Sequence, residues 1–375
     1  MPEIPEKMMQ EITSSLRGED QFNFAMALDR SIQKRFSLFQ RGIERYQQHS
    51  YRRGIADNPS IWSRGSASLR KYGGENSGYP VFVIPSLVNR YYILDLMDEN
   101  SFLGWLSGEG WQPFVMDWGE PGEAEKGFGL EDYICEYLKG ALSEIKAKTG
   151  LPPIVIGYCM GGTLSVALAN ISEGDIHSLV LMASPWDFHS GSLSGSQSGA
   201  EKTRAQQQGA WLSSLLPMIE ARGEMPCELL QSLFASLDLT LSLRKFSAFT
   251  RLKEDSVEAR SFVALEDWLN DGVSLASKVT RECFEGWYGE NSPGQTNWTI
   301  AGEVVDPARL NIPALSVISS RDRIVPSGSS YALARKLSNG TVLETPLGHI
   351  GMIVSRGAQS KIWNPVSDWM KQIIV

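Results

Sequence analysis

One cysteine of this chain lies in a sequence setting typical of a nucleophile. Residues 157–162 read GYCMGG, at the end of the apolar run 153–158 and ahead of TLSVALANI, a good helix former. A strand, G-x-C-x-G and a helix make up the nucleophile elbow, here with cysteine in place of serine. We expect Gly157 and Gly161 to be required, because a Cβ beside this sharp turn would collide with neighbouring chain. We therefore predict that Cys159 is a nucleophile; a buried structural cysteine in a glycine-rich turn is the alternative.

Two backbone amides are candidates for an oxyanion hole beside Cys159. The helix that follows would direct its amino-terminal N–H groups and positive dipole end at the sulfur, which favours the thiolate and makes the N–H of Met160 a donor. With this elbow, the second donor comes from the loop after an earlier strand. That loop is 85–91, PSLVNRY, and we predict the N–H of Val88 as the second donor.

A thiol nucleophile needs a base, and the base needs a carboxylate that orients it. With this elbow, acid and then histidine follow the nucleophile along the chain. His349, in PLGHIGMI, is the predicted base, and Asp322, in SSRDRIVP after the apolar run 314–320, is the predicted carboxylate. Asp117 and Asp187 also follow strand signals, so both stay open as the acid. The other histidines fall in a polar arm, a surface turn and a loop: His49, His177 and His189.

Six short apolar runs, alternating with helical stretches, are the elements that must position these groups. They lie at 79–85, 113–118, 153–158, 178–184, 314–320 and 341–345. An amphipathic helix is predicted over 130–148, between the second and the third run. Buried runs separated by helices predict an α/β fold with a mostly parallel sheet and helices on both faces.

Two regions depart from this alternation, and they set the predicted domains. Residues 1–60 form a helical amino-terminal arm, 61–188 the first part of the α/β core, 189–305 a cap or lid insertion, and 306–375 the second part of the core. The insertion opens with a Ser/Gly stretch at 190–199 and has helical patterns at 211–221, 228–243 and 273–287. Such an insertion could exclude water from the site.

The arm is polar, with apolar residues at helical spacing. Packing on the body and docking of a partner helix both fit this pattern. The apolar residues are Phe24, Leu28, Ile32, Phe36 and Phe39.

Composition excludes several classes of protein. The chain has 375 residues, 42% hydrophobic and 21% charged, so collagen-like, coiled-coil and disordered proteins are excluded. Its net charge of −8 argues against nucleic acid as a partner. Cys135, Cys227 and Cys283 form no CxxC pair and are expected in core packing. With no signal sequence, membrane span, metal motif or nucleotide motif in view, we expect a cytoplasmic protein without metal or cofactor.

Several segments together resemble polyhydroxyalkanoate synthases. They occur in that family's order and cover the chain from about residue 60 onward. LVNRYYILDL is the most specific of them, since it has no general role in α/β-hydrolases. The segments are LVNRYYILDL (87–96), MDWGEP (116–121), LEDYI (130–134), GYCMGG (157–162), ASPWDF (183–188), SRDRIVP (320–326) and GHIGMIV (348–354).

This resemblance implies an α/β-hydrolase fold and the polymerisation of 3-hydroxyacyl-CoA, expected to be 3-hydroxybutyryl-CoA, with release of CoA. It implies Cys159 as the acyl carrier, His349 as the base and Asp322 as its partner. The short arm resembles the two-subunit type, so a separate helical partner subunit, a homodimer and a polymer granule surface are expected partners. Trp186 stands where the family has a smaller apolar residue, and Arg323 follows the acid.

Two other readings stay open. GYCMGG also resembles dienelactone hydrolases, and thioesterases and polyester depolymerases share the fold; in all of these, water accepts the acyl group. A non-catalytic granule or scaffold protein that kept the fold is the third possibility.

Overall fold

The computed structural model describes residues 14, 21–54, 58–74, 78–172, 174–190, 207 and 209–374. Within them an eight-stranded sheet carries the fold, in the order β1-β2-β4-β3-β5-β6-β7-β8. Its strands are β1 Ser60–Arg64, β2 Ala67–Lys71, β3 Pro80–Ile84, β4 Gln112–Asp117, β5 Ile154–Tyr158, β6 Ser178–Met182, β7 Ala314–Ser319 and β8 Gly340–Thr345.

The parallel part of the sheet runs from β4 to β8. Every residue of β3, β5, β6 and β7 is buried, as expected for strands covered on both faces. All six predicted strands are present, and the predicted fold class is confirmed.

Strands β1 and β2 were not predicted. They pair with each other in antiparallel fashion, and β2 pairs antiparallel with β4. In β2 only alternate residues, Ala67 and Leu69, are fully buried. Two apolar residues in a five-residue strand rich in basic and hydroxyl groups are too weak a pattern to separate a strand from a solvated loop.

The helices and short elements follow, in chain order. The α-helices are Gln21–Gln48, Phe102–Gly108, Leu130–Asp132, Lys139–Thr149, Met160–Ile171, Leu216–Arg222, Cys227–Ser236, Leu241–Phe249, Val257–Asn270, Ser277–Arg281, Ser327–Ala334, Gly351–Val354 and Asn364–Ile373. Tyr133–Leu138, Glu282–Gly289 and Gln359–Trp363 are π-helical, and Tyr91–Leu94 and Pro307–Arg309 are 3₁₀ turns. The two-stranded ladders pair Asp95–Met97 with Asn100–Ser101, Glu224–Met225 with Leu275–Ala276, and Thr299–Ile300 with Glu303–Val304.

The helix predicted over 228–243 is two helices. Between them, Asp238 Oδ1 accepts hydrogen bonds from the N–H and the hydroxyl of Thr240, at 3.2 and 2.9 Å. An aspartate that bonds to backbone two residues on favours a turn over a continuing helix. The helix Val257–Asn270 was not predicted. The predicted Ser/Gly stretch at 190–199 lies outside the described residues, except for Ser190.

The chain divides into two compact units. Residues 52–237 and 264–375 form the sheet unit, and 1–51 with 238–263 form the helical unit. This division differs from the four predicted domains, whose boundaries stay a prediction.

In the helical unit, Gln21–Gln48 packs against Leu241–Phe249. A Cβ at Gly42 would lie under 3.0 Å from the Phe246 carbonyl, and Arg45 donates to the carbonyl oxygens of Phe249 and Leu252 at 3.1 and 2.6 Å. The first half of Gln21–Gln48 leaves an apolar stripe exposed, which consists of Phe24, Leu28, Ile32 and Phe36.

Candidate active site

Cys159 occupies a strained turn between β5 and the helix Met160–Ile171. Its φ is +56° and its ψ is −128°, a conformation that costs on the order of 1–3 kcal/mol for a residue with a side chain. Two backbone hydrogen bonds hold the turn: Cys159 N–H donates to Met182 O, and Gly162 N–H donates to Cys159 O, each at 2.9 Å. Cys159 is half-buried and packs against the edge of the hydrophobic core.

Glycines on both sides of Cys159 allow this turn. A Cβ at Gly157 would lie under 3.0 Å from backbone atoms of Gly162, and one at Gly161 under 3.0 Å from the carbonyl oxygens of Ile84 and Pro85. Real Cβ atoms do not approach backbone so closely. The expected need for glycine at 157 and 161 is therefore confirmed.

His349 and Asp322 meet beside the cysteine. His349 Nδ1 lies 2.7 Å from Asp322 Oδ2, and both side chains are buried, at 7% and 2% exposure. The other carboxylate oxygen, Oδ1, accepts the N–H groups of Ile324 and Val325 at 2.8 and 2.9 Å. The carboxylate is thus fixed by backbone, and through its contact with Nδ1 it orients the imidazole, whose pKa also responds to the Cys159 thiol.

The sheet brings these three side chains together. Asp322 follows β7 and His349 follows β8, and the two strands pair in parallel through Ser319 opposite Thr345. Tyr158, immediately before the cysteine, donates its hydroxyl to His349 O at 3.1 Å, with ring centroids 5.2 Å apart. The carboxyl ends of β5, β7 and β8 lie at one edge of the sheet, so residues far apart in sequence share one site.

The surroundings of His349 favour its protonated form. Burial alone would lower the pKa of the imidazole, but the charge of Cys159, hydrogen bonds with Asp322 and Cys159 and the charge of Asp322 outweigh it and raise that pKa to about 10.

The two carboxylates left open as the acid are engaged elsewhere. Asp117 accepts from Arg70 Nε at 2.8 Å. Asp187 accepts from Asn291 Nδ2 at 2.8 Å and from the Ser190 hydroxyl at 2.7 Å. Of the three candidates, Asp322 is the one whose carboxylate the structure places on His349.

The remaining histidines bond to groups outside the site. His189 Nε2 lies 3.0 Å from Tyr288 O, and His177 Nδ1 lies 3.3 Å from the Ser178 hydroxyl. His49, in the helical unit, bonds to Glu254 O at 3.1 Å.

The two predicted oxyanion donors differ in their surroundings. Met160 is the first residue of its helix, so its N–H is among those that lack an acceptor within the helix. The N–H of Val88 donates to the Ser86 hydroxyl at 3.1 Å. The role of Val88 stays a prediction.

The sequence did not indicate a cluster of aromatic side chains around Phe188 at the level of individual residues. Phe188 packs on Trp287 and Tyr288, with ring centroids 5.3 and 5.1 Å apart. Trp287 also lies 5.4 Å from Trp298, which contacts the fully buried Trp186. Phe188 belongs to the ASPWDF segment, whereas nothing in the spacing of the insertion singles out Tyr288.

The other three cysteines lack the environment of a reactive thiol. All four thiols are free. Burial, with nearby carboxylates, raises the pKa of Cys135, Cys227 and Cys283. Cys283 lies in the hydrophobic core, Cys135 packs against it, and Cys227 is half-buried.

Metal-ligating side chains do not cluster within the described residues. That part of the chain contains no group of three or more His, Cys, Asp or Glu side chains able to hold a metal ion.

None of the described helices has both the length and the apolar character that crossing a membrane requires.

Sequence comparison identifies a family and relatives. Residues 79–355 match the family described as alpha/beta hydrolase fold. The chain is 30% identical to the poly(3-hydroxyalkanoate) polymerase subunit PhaC of Haloferax mediterranei over 85% of its own length, and it spans 64% of that protein. Proteins of the same name from Allochromatium vinosum and Synechocystis sp. are 26% and 29% identical, over 85% and 78% of this chain and 89% and 78% of theirs. These relatives confirm the resemblance drawn from the sequence segments.

Solved structures agree on the fold. MenH from S. aureus has a TM-score of 0.52 at 13% identity, over 82% of this chain and 99% of MenH. A carboxylesterase structure from Nitrososphaera gargenis has a TM-score of 0.51 at 10% identity, over 84% of this chain and 99% of that one. At these identities the likeness concerns the fold alone.

Proposed function

The chain belongs to the α/β-hydrolase fold family, and from this premise we propose that it polymerises 3-hydroxyacyl-CoA into polyhydroxyalkanoate with release of CoA. The expected monomer is 3-hydroxybutyryl-CoA. The observation that carries the proposal is a cysteine at the elbow, beside a His–Asp pair, in a chain similar over 85% of its length to a poly(3-hydroxyalkanoate) polymerase subunit.

In the first step, the Cys159 thiolate attacks the thioester carbonyl of the acyl-CoA. A carbon–sulfur bond to Cys159 forms and the bond to the CoA sulfur breaks. The His349 imidazolium gives its proton to the departing CoA thiolate, so CoA leaves as the thiol and His349 becomes neutral.

In the second step, a 3-hydroxyl group attacks the acyl group on Cys159. Neutral His349 takes the hydroxyl proton, an oxygen ester forms, and the Cys159 thiolate is released beside a renewed imidazolium. Asp322 holds the imidazole in the orientation that both transfers need. These steps use side chains of the chain and the CoA ester, so we propose no cofactor.

The energetics of the two steps favour cysteine over serine. Exchange of one thioester for another keeps the acyl group activated until it meets the hydroxyl. A serine nucleophile would form the stable oxygen ester one step early, and transfer to a second hydroxyl would then have little driving force.

The decisive experiment is incubation of the purified chain with 3-hydroxybutyryl-CoA, with CoA release followed and the acyl product identified. Cys159→Ala is the matched control. Insoluble polyester and CoA from the parent, with neither from the variant, is the expected result. Free 3-hydroxybutyrate in place of polyester would assign the chain to a thioesterase or hydrolase activity and refute the proposal.

Iodoacetamide labelling separates an enzyme from a scaffold that kept the fold. A thiolate beside an imidazolium alkylates fast below pH 8, whereas burial keeps the other three thiols protonated and slow. Equal, slow labelling of all four cysteines would favour the scaffold.

The proposal also includes molecules that bind the apolar stripe on Gln21–Gln48. Four large apolar side chains of the stripe on Gln21–Gln48 are between 44% and 56% exposed, which is typical of a surface covered by another molecule. The named relatives are polymerase subunits. We propose a homodimer, a helical partner subunit and the surface of the growing polymer granule as partners, with the stripe as a contact surface.

A further inference from the structure

His349 lies in a loop, so its position depends on local contacts. The loop joins β8 to the helix Gly351–Val354. Asp322 Oδ2 lies 2.7 Å from Nδ1 of His349 and orients the imidazole. A contact with one ring nitrogen leaves the main chain of the histidine to be held by other groups. Because a base must stay within hydrogen-bond reach of the reacting groups, whatever holds this main chain bears on the reaction.

Tyr158 contacts His349 at both the main chain and the ring. The Tyr158 hydroxyl donates to His349 O at 3.1 Å. The phenol and imidazole rings are tilted by 33° to each other, with their centroids 5.2 Å apart. The phenol therefore supports the base on its main-chain side, whereas Asp322 supports it at Nδ1.

Tyr158 is itself held firmly by the sheet. It is the last residue of β5, it pairs with Met182 of β6, and it is 5% exposed. β5 is an inner strand, between β3 and β6. Burial, followed by the charges of Cys159 and Asp322, raises the pKa of the Tyr158 phenol well above its usual value. The hydroxyl therefore keeps its proton at neutral pH and remains a donor.

These contacts tie the nucleophile to the base. Cys159 follows Tyr158 directly in the chain, and its N–H donates to Met182 O at 2.9 Å. One end of the phenol is thus fixed to the strand that carries the nucleophile, and the other end is bonded to the backbone of His349. Since a hydrogen bond tolerates only a narrow range of lengths, this one restricts how far His349 can move from the end of β5.

We propose that Tyr158 is a positioning residue, whose hydroxyl holds the main chain of His349 against the end of β5 and so sets the placement of the base relative to Cys159. Both proton transfers of the two-step reaction depend on that placement, and the identity of the reaction rests on the proposed function. A misplacement of about 1 Å in such a site costs on the order of 100-fold in rate.

A second contact holds the loop independently of Tyr158. The Ser319 hydroxyl, at the end of β7, donates to Leu347 O at 2.5 Å. Loss of the phenol hydrogen bond is therefore expected to shift His349 within a folded loop rather than to unfold the loop. This separation makes the role of the hydroxyl testable in the full chain.

The test compares Tyr158→Phe with the parent and with Tyr79→Phe. Tyr79 is a close match, because its hydroxyl donates to Pro152 O at 2.9 Å and its ring lies 5.4 Å from the ring of His177. In Tyr158→Phe, kcat for CoA release is expected to fall by about 10-fold to 100-fold. KM is expected to stay within about twofold of the parent, since the hydroxyl serves proton transfer and not binding. Tyr79→Phe is expected to keep both constants within about twofold.

A double-mutant comparison separates positioning from a structural role. Once His349→Asn has removed the imidazole, a residue that acts through it has nothing left to position. Tyr158→Phe is therefore expected to change single-turnover CoA release by less than about twofold in the His349→Asn background, against about 10-fold or more in the parent. Equal losses in both backgrounds would show that Tyr158 serves the fold, and would overturn the proposal. A kcat of Tyr158→Phe within about twofold of the parent, with or without a higher KM, would overturn it too.

A second pair of variants keeps the test decisive if Tyr158→Phe does not fold. Replacing Tyr158 with 4-aminophenylalanine keeps the ring and a donor toward His349 O, whereas 4-methylphenylalanine fills a similar volume without a donor. The amino variant is expected to keep kcat within about threefold of the parent, and the methyl variant to lose about 10-fold or more. Equal kcat values in the two variants would contradict a role for the hydrogen bond.

Failure of the proposed function would be visible separately. A parent that makes no polyester but releases nitrophenol from p-nitrophenyl acetate refutes the polymerase proposal by itself. Nitrophenol release then tests Tyr158, because acylation and deacylation of Cys159 both use the base. The rate ratio of parent to Tyr158→Phe is expected to stay at about 10-fold to 100-fold, and a ratio near one would overturn the inference. A parent that does not release nitrophenol at all would overturn both.

Discussion

Two helices of this molecule use apolar residues in opposite ways. In Met160–Ile171, which begins directly after Cys159, the ten residues from Met160 to Ala169 are all buried. In Gln21–Gln48, Ile32 and Phe36 are 56% and 53% exposed. The first helix is therefore held by the core of its own unit, whereas the second carries apolar area that its own chain leaves in water.

The difference shows which property fixes a catalytic site. Around Cys159, two of the predicted catalytic side chains are held by partners within the sheet unit: Asp322 by two backbone N–H groups and His349 by Asp322. Such a site is preorganised before substrate arrives. The four side chains of the stripe on Gln21–Gln48 are 44% to 56% exposed, so their predicted role depends on a molecule that covers them.

The largest expected effect comes from the carboxylate that orients His349. Asp322→Asn removes the acceptor for His349 Nδ1 and favours the wrong tautomer, so CoA release is expected to fall by about 10³-fold to 10⁴-fold. Asp117→Asn is the matched control, since Asp117 binds Arg70, and a loss below about tenfold is expected. Steady-state kinetics of both variants, with CoA release as the readout, check this. Similar losses in the two would mean that Asp322 has no special role.

The strained elbow predicts the next effect. Gly161→Ala places a Cβ against the carbonyl oxygens of Ile84 and Pro85, so we expect destabilisation by about 3 kcal/mol or more. Gly108→Ala, where a Cβ would have no atom within 4 Å, is expected to change stability by less than about 1 kcal/mol. Urea unfolding measures both. Equal stability of the two variants would be inconsistent with the close approach at the elbow.

The comparison of the two helices predicts a contrast between equivalent truncations. Leu164→Ala, at 0% exposure, is expected to cost about 3 kcal/mol in the free energy of unfolding. Ile32→Ala, on the stripe, is expected to cost less than about 1 kcal/mol.

The double variant Ile32→Glu with Phe36→Glu is expected to reduce self-association or partner binding, as measured by light scattering. Unchanged association in the double variant would remove the stripe as a contact surface.

The last expected effect is a dependence of stability on pH. The pKa of His349 is raised to about 10 in the folded protein, from an ordinary value near 6.5. Since the folded state binds this proton more tightly, the contribution of His349 is complete below about pH 6.5 and is lost as the pH rises through about 10. The stability difference between the parent and His349→Asn is therefore expected to shrink between pH 6.5 and 10, as measured by urea unfolding.

His177→Asn is the control for that pH series. Burial lowers the pKa of His177, so no loss of its contribution with rising pH is expected. A difference for His349→Asn that stays constant or grows with pH would contradict the raised pKa.

Much of the fold was accessible from the sequence because strands buried on both faces leave long apolar runs. The six parallel strands were predicted on that basis. β1 and β2 were not, since an antiparallel edge pair needs only Ala67 and Leu69 to face the core. The helix break at Asp238 was missed because it depends on the hydrogen bonds of one side chain and not on periodicity.

For the site, the sequence alone determined the elbow. Its glycines and its cysteine between strand and helix are local features, since the turn geometry is set by adjacent residues. The order of acid and histidine along the chain could also be read directly from the sequence. The choice of Asp322 over Asp117 and Asp187 was decided by the tertiary structure, which places one carboxylate on His349 and binds the others to Arg70 and Asn291. The tertiary structure also decided that Asp322 and His349 meet, because side chains far apart in sequence come together only where parallel strands bring their carboxyl ends, and the loops after them, to one edge of the sheet.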